Sequence, residues 1–148
     1  MPNIDDEAVF GPMQPEAARD QAAEFLGVFA GVTFDLGRGQ TWTLPNQAFM
    51  PPDMKRRYLE HLRFMNEDLD TETIADPITG KRRKQSKWPL RLNGTLIDED
   101  ELLCRALMGD EVYEQFLAAG GVSGQVRVHW NVMNLQMQDR VKRDPKSN

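Results

Sequence analysis

Apolar side chains recur at helical spacing through the last third of the chain, and glycines divide that pattern into three segments. Residues 98–108, 110–120 and 123–143 each place apolar residues three and four positions apart, which is the period of one helix face. Gly109 and the pair Gly120-Gly121 separate the segments, and glycine is the residue that most often follows the end of a helix. The expected N-cap residues are Asp98, Asp110 and Ser123. Three helices are therefore predicted here.

The stretch before these helices contains a β-hairpin pattern. Residues 32–36 and 41–45 alternate between apolar and polar side chains, and residues 37–39 (Gly-Arg-Gly) connect them. Glycine readily adopts the positive φ that short hairpin loops need. Residues 88–97 contain Asn93-Gly94, a strong two-residue hairpin signal, and they fit either a second hairpin or an irregular loop.

One more helix completes the predicted domain, and a short one is expected in the N-terminal arm. Pro51-Pro52-Asp53 opens a helix that extends to about Leu69, because proline is tolerated in a first helical turn. A shorter helix is expected over residues 15–27, which are rich in alanine and glutamate. The predicted class is α+β, mostly α, with one N-terminal β-hairpin packed with about four helices. The predicted organisation is an acidic, partly flexible N-terminal arm (1–30), a single globular domain (31–143) and a flexible tail (144–148).

Charge is distributed unevenly along the chain. The net charge of −5 is accounted for by the first thirty residues, which hold six acids and one arginine, a pattern typical of a solvated arm. Residues 81–87 carry the opposite charge on five of seven side chains. These cations are Lys81, Arg82, Arg83, Lys84 and Lys87. We interpret them as a loop that is either solvated or a docking patch for an acidic partner, such as the acidic arm of a neighbouring copy.

No pattern of reactive side chains indicates catalysis, a cofactor or a metal. Cys104 is the one cysteine and lies among the leucines of a predicted helix, which indicates a buried, unreactive thiol. His61 and His129 lie on predicted helices without evident partners for a metal. A run of about 18 apolar residues, as a membrane span requires, is missing, and so is a secretion signal. We therefore expect a non-enzymatic cytosolic protein without cofactors.

Two apolar helix faces fit either the core of this domain or a groove for a partner. The two faces consist of Met54, Tyr58 and Leu62, and of Trp130, Met133 and Met137. Methionine suits adaptable binding surfaces because its thioether side chain is flexible and polarizable. These six residues are the candidate client-binding residues.

The order of elements resembles a known family. Val-Thr-Phe-Asp-Leu at 32–36 and Thr-Trp-Thr-Leu-Pro at 41–45 follow an acidic N-terminus, and Val-Tyr-Glu-Gln-Phe-Leu-Ala-Ala-Gly-Gly at 112–121 precedes a helix and a basic end at 143–148. In these stretches the chain is similar to the tail assembly chaperones of siphophages that infect actinobacteria. The resemblance implies a late protein of the host cell cytoplasm that binds the tape measure protein and keeps it soluble during tail assembly.

The same resemblance implies a pair of products from one gene, in which a programmed frameshift extends the shorter chain. Asp144-Pro145-Lys146 can be encoded as GAC-CCA-AAA, which contains a slippery sequence. Our hypothesis is that this chain is the short product and that slippage occurs at Pro145 and Lys146. The expected partners are the tape measure protein, the longer frameshift product and weakly associated copies of this chain, without membrane contact.

Two other classes of function stay open at this point. The first is a small phage structural or connector protein that is retained in the virion. The second is a nucleic-acid-binding regulator that uses residues 81–87 and Trp88. Nucleic acid is not the expected partner, because its phosphates need a dominant cationic surface and this chain is acidic overall.

Overall fold

The computed structural model describes residues 14–26 and 30–143, and the fold is α+β and mostly α, as the sequence predicts. The described residues form five α-helices, one 3₁₀ segment and three separate two-stranded antiparallel sheets. The elements are α1 (Pro15–Leu26), β1 (Gly31–Gly37), β2 (Gln40–Pro45), the 3₁₀ segment (Gln47–Phe49), α2 (Pro52–Glu67), β3 (Thr71–Ala75), β4 (Arg82–Ser86), β5 (Arg91–Leu92), β6 (Thr95–Leu96), α3 (Glu99–Met108), α4 (Asp110–Ala118) and α5 (Ser123–Arg143).

The predicted N-terminal hairpin is confirmed as β1–β2. Antiparallel pairing places Val32 opposite Leu44 and Phe34 opposite Trp42, so these apolar side chains share the face that packs on the helices. Leu44 is completely buried. The ring of Phe34 meets the ring of Phe116 edge-on, with the centroids 5.7 Å apart. The hairpin therefore covers one side of the helical core.

The core lies among α2, α3, α4 and α5. Leu103 and Leu107 from α3 and Val126 and Met133 from α5 are its most deeply buried helical aliphatic side chains. Burial of one such side chain stabilises the fold by about 1.5–3 kcal/mol. The apolar periodicity that predicted these helices therefore corresponds to the core face of each.

The helix starts differ in part from the predicted N-caps. Asp98 is the N-cap of α3, because its Oδ1 accepts hydrogen bonds from the backbone N–H groups of the second and third helical residues. Asp110 is instead the first residue of α4, after Gly109, and its carboxylate lies 3.1 Å from a guanidinium nitrogen of Arg105. The prediction of Ser123 as a cap is also wrong, because α5 begins at Ser123 itself. The carboxylate of Asp110, which the local sequence predicts to cap α4, is instead paired with Arg105.

Residues 70–97 form two small hairpins rather than a loop. Residues 71–75 pair with 82–86, so the segment 81–87 that we interpreted as a charged loop is mainly strand β4. The second hairpin, which the sequence left open, is present as β5–β6. Its turn residues Asn93 and Gly94 have φ values of 50° and 83°, and a two-residue type I′ turn requires positive φ at both positions.

Asp70 joins the two small hairpins at their base. Its backbone N–H donates to the carbonyl of Arg91 at 2.8 Å, and its carbonyl accepts from the N–H of Lys87 at 3.0 Å. Its carboxylate accepts from the backbone N–H groups of Gly94 and Asn93, each at 2.8 Å. Because these bonds favour the charged form, they hold the pKa of Asp70 below its ordinary value.

Candidate functional site

Three of the six candidate client-binding residues lie in the core. Trp130 is 2% exposed, Met133 is 1% exposed and Met54 is 7% exposed. Tyr58 packs edge-on against the indole of Trp130, with the ring centroids 5.3 Å apart. Of the two readings of these apolar faces, core or partner groove, Trp130, Met133 and Met54 therefore belong to the core. Their side chains do not offer a surface to a partner.

The other three candidates come together in one groove between α2 and α5. Tyr58 and Leu62 line its α2 side and Met137 lines its α5 side. The remaining apolar lining consists of Ala48, Met50 and Leu59. Leu59 is 54% exposed and Leu62 is 38% exposed. The structure thus joins parts of both predicted faces into a single apolar surface that is open to solvent.

The orientation of α2 places these leucines in the groove. The Nε of Arg57 donates to the carbonyl of Ala106 at 2.8 Å and an Nη donates to the carbonyl of Leu107 at 3.2 Å. The last carbonyls of a helix lack partners within that helix, so Arg57 satisfies the end of α3 and anchors α2 to it. Leu59 and Leu62 lie about half a turn around α2 from Arg57. They consequently face away from α3.

A buried asparagine positions the third wall of the groove. Asn46 is completely buried, and its side-chain oxygen accepts a hydrogen bond from the backbone N–H of Ala48 at 3.1 Å. Its own backbone N–H donates to the carbonyl of Ala30 at 2.8 Å. These bonds fix the start of the 3₁₀ segment, so Ala48 and Met50 are held against the groove.

The groove has an apolar floor and a mostly uncharged polar rim. Its volume is about 460 Å³, enough for a few apolar side chains of a partner. The rim residues are Gln47, Lys55, Asn134 and Gln138. Amide side chains both donate and accept hydrogen bonds, so the rim suits the polar flank of a bound peptide.

The cation of Arg63 on α2 is fully engaged by acids. Its guanidinium contacts carboxylate oxygens of Glu60 at 2.6 Å, Asp68 at 2.9 Å and Glu67 at 3.3 Å. These bonds hold the pKa values of Glu60 and Asp68 below their ordinary range. Arg63 is therefore committed to contacts within the chain.

The cations of residues 81–87 have a different environment. Lys81, Arg82, Arg83, Lys84 and Lys87 are all exposed. Within residues 14–26 and 30–143, none of the five forms an ion pair, in contrast to Arg63, Arg105 and Arg127. The structure therefore corrects the description of Arg82, Arg83 and Lys84 as loop residues, because they lie on strand β4. Lys81 and Lys87 flank the strand, and all five cations face solvent.

The reactive groups are placed in the way expected of structural residues. Cys104 is completely buried, and desolvation raises the pKa of its thiol to about 12. Burial also lowers the pKa of His61. Among the described residues, acids, histidines and the cysteine form no group that could hold a metal ion. No helix in that part of the chain is both long and apolar enough to cross a membrane.

Sequence reasoning missed an exposed apolar face on α5. Val128, Val132 and Leu135 are exposed on α5, on the side opposite its core face, and their spacing of four and three residues was a readable signal. Trp88, which the sequence singled out only for the nucleic-acid alternative, is 82% exposed and follows β4. Pro145 and Lys146 lie outside the described residues.

Comparison of this chain with known proteins finds no relative. No family model matches the chain, and neither a curated protein nor a solved structure matches it.

Proposed function

We propose that this chain is a phage tail assembly chaperone that binds the tape measure protein and keeps it soluble while the tail is built. The observation that carries the proposal is the apolar groove between α2 and α5, in which Leu59 and Leu62 remain accessible to solvent. The resemblance of the flanking sequence stretches to siphophage chaperones supports the same conclusion. The protein acts without catalysis, in the cytoplasm of the infected cell.

The groove suits one face of an amphipathic helix. Such helices dock through apolar residues at i, i+3 or i+4, and i+7. A volume of about 460 Å³ accepts two or three of these anchors, and the amides of Gln47, Asn134 and Gln138 meet the polar flank of the helix. A long helical client with repeated apolar stripes offers many equivalent sites of this kind.

Binding at one groove is weak, and that suits a chaperone. Three buried apolar anchors contribute about 5–9 kcal/mol, while association costs about 4–15 kcal/mol in lost freedom. Many copies along one client provide avidity without tight binding at any single site. Tail tube subunits can then displace the copies one at a time. The longer frameshift product shares the groove and binds the same client.

The test is co-expression with the tape measure protein, followed by capture through a tag on this chain. The wild-type chain is expected to recover a soluble complex, while the client alone is insoluble. Leu62→Asp should abolish recovery, because it places a charge in the apolar groove. The matched control is Leu117→Asp, since Leu117 is a helical leucine of similar exposure, 41%, outside the groove.

Two results would contradict the proposal. One is a client that is soluble alone and is not captured by this chain. The other is equal loss of capture by Leu62→Asp and Leu117→Asp when both variants are folded by circular dichroism. Mass spectrometry of purified virions separates the chaperone from a connector, because a chaperone is absent from the finished particle.

A further inference from the structure

The hairpin β3–β4 has a free strand edge lined by unpaired cations. Within the described residues, β4 pairs with β3 alone, so its other edge has no strand partner. Arg82, Arg83 and Lys84 are exposed and form no ion pair there. Unpaired N–H and C=O groups along a strand edge form a template for another extended chain, and cations beside that edge select an acidic one.

The cations alternate between the two faces of the hairpin. Register pairs Arg82 with Ala75, Arg83 with Ile74 and Lys84 with Thr73. Because successive residues of a strand point to opposite faces, Arg82 and Lys84 share one face and Arg83 lies on the other. The residues opposite them on β3 are all uncharged, so no acid of the hairpin neutralises the three cations directly across the ladder.

An acidic segment of matching pattern occurs at the start of the chain. Residues 1–13 contain Asp5, Asp6 and Glu7 and no lysine or arginine. In a strand added to the edge of β4, Asp5 and Glu7 would lie on one face and Asp6 on the other, which matches the alternation of the three cations.

We propose that the free edge of β4 binds residues 1–13 of a second copy of this chain. The proposal concerns self-association and does not depend on the identity of the client.

Reach favours a second copy over the chain's own N-terminus. Pro15 lies near Phe49 and Met50, which immediately precede α2, whereas β3 begins after α2 has ended. The sixteen residues of α2 span about 24 Å. The seven Cα–Cα steps from Glu7 to Gln14 span at most about 25 Å when the chain is fully extended. The chain's own arm would therefore have to be stretched along the whole of α2 merely to bring Glu7 level with the end of that helix. A head-to-tail contact between copies removes this constraint, and as a heterologous interface it propagates into an open array.

The test uses two full-length variants and their mixture. One variant neutralises the donor segment (Asp5→Asn, Asp6→Asn, Glu7→Gln), and the other neutralises the acceptor strand (Arg82→Gln, Arg83→Gln, Lys84→Gln). Sedimentation velocity over a range of concentrations should show self-association of the wild type, which weakens at least about ten-fold in high salt because exposed charge pairs are screened. Each variant alone should remain monomeric. The control Arg38→Gln removes an exposed cation away from β4 and should associate as the wild type does.

The mixture decides the outcome. The acceptor-neutralised chain still carries an acidic segment, and the donor-neutralised chain still carries a basic strand, so an equal mixture should form a one-to-one dimer and stop there. A mixture that stays monomeric would overturn the proposal, as would a wild type whose association neither variant changes. Loss of binding to a single-stranded oligonucleotide in the acceptor variant alone, with self-association unchanged, would assign the strand to nucleic acid instead.

Discussion

Met133 and Met137 are one helical turn apart on α5. Replacing Met133 with alanine should mainly lower stability, whereas replacing Met137 with alanine should mainly weaken binding of the client. Met133 is 1% exposed and belongs to the core, whereas Met137 is half-buried and lines the groove. Because the two residues have the same side chain and the same helix, the comparison removes differences in helix propensity. The core residue should control stability, and the groove residue should control binding of the client.

The expected magnitudes follow from burial. Met133→Ala removes a fully buried side chain and leaves a cavity, so it should cost about 3 kcal/mol, within the range of about 2–5 kcal/mol for such substitutions. For a chain of this length that lowers the melting temperature by about 10 °C. Met137→Ala loses only part of that packing and should cost about 1 kcal/mol or less. Urea unfolding followed by tryptophan fluorescence measures both values, since Trp130 is buried.

Capture of the tape measure protein should depend on Met137 more than on Met133, the reverse of their order for stability. At a temperature where both variants are folded, Met137→Ala should reduce recovery of the tape measure protein and Met133→Ala should not. Equal destabilisation by the two substitutions would refute the assignment of Met133 to the core and Met137 to the groove. A Met137→Ala variant that captures the client as well as the wild type would refute the role of the groove.

Three further predictions concern single residues. Asp98→Ala should lower the free energy of unfolding by about 1 kcal/mol in urea titrations, because it removes the N-cap of α3. Cys104 should not react with a thiol reagent until denaturant is added, because burial raises its pKa to about 12. The pKa of Asp70 is depressed by hydrogen bonds from Asn93 and Gly94, so its contribution to stability is present above its ordinary pKa of about 3.9 and is lost as pH falls through the folded-state value. Asp70→Asn should therefore flatten the loss of stability in acid, measured as urea midpoints against pH.

Local signals identified most of the regular structure. Apolar spacing located α2, α3, α4 and α5, and the glycines around Arg38 located the hairpin β1–β2. Asn93-Gly94 marked the turn between β5 and β6 because that pair tolerates positive φ at both positions. These features depend on residues close in sequence, so they are readable without knowledge of the fold.

The strands β3 and β4 escaped prediction because they lack an apolar face. Ile74 is the one large apolar side chain in β3, and β4 is the sequence Arg-Arg-Lys-Gln-Ser. A hairpin exposed on both sides needs no alternation of apolar and polar residues, so the period-2 signal is absent. Its charge run was visible, but its secondary structure was not.

The groove between α2 and α5 could not be predicted from the sequence for a different reason. Periodicity identified the apolar faces that contain Tyr58 and Met137, but it could not tell which members of each face meet the core and which meet solvent. That division depends on how α2 is rotated against α3 through Arg57, a contact across about fifty positions of sequence. α5 adds a second difficulty, because it also exposes Val132 on the side opposite the core.

The most direct test of the central claim is a map of contacts in the complex with the tape measure protein. A photo-reactive amino acid would replace Leu62 in the groove or, as a control, Leu117 outside it. The account predicts cross-links from position 62 to apolar positions three and four residues apart in the client, and few from position 117. Equal cross-linking from both positions, or none from position 62 in a complex that forms, would contradict the account.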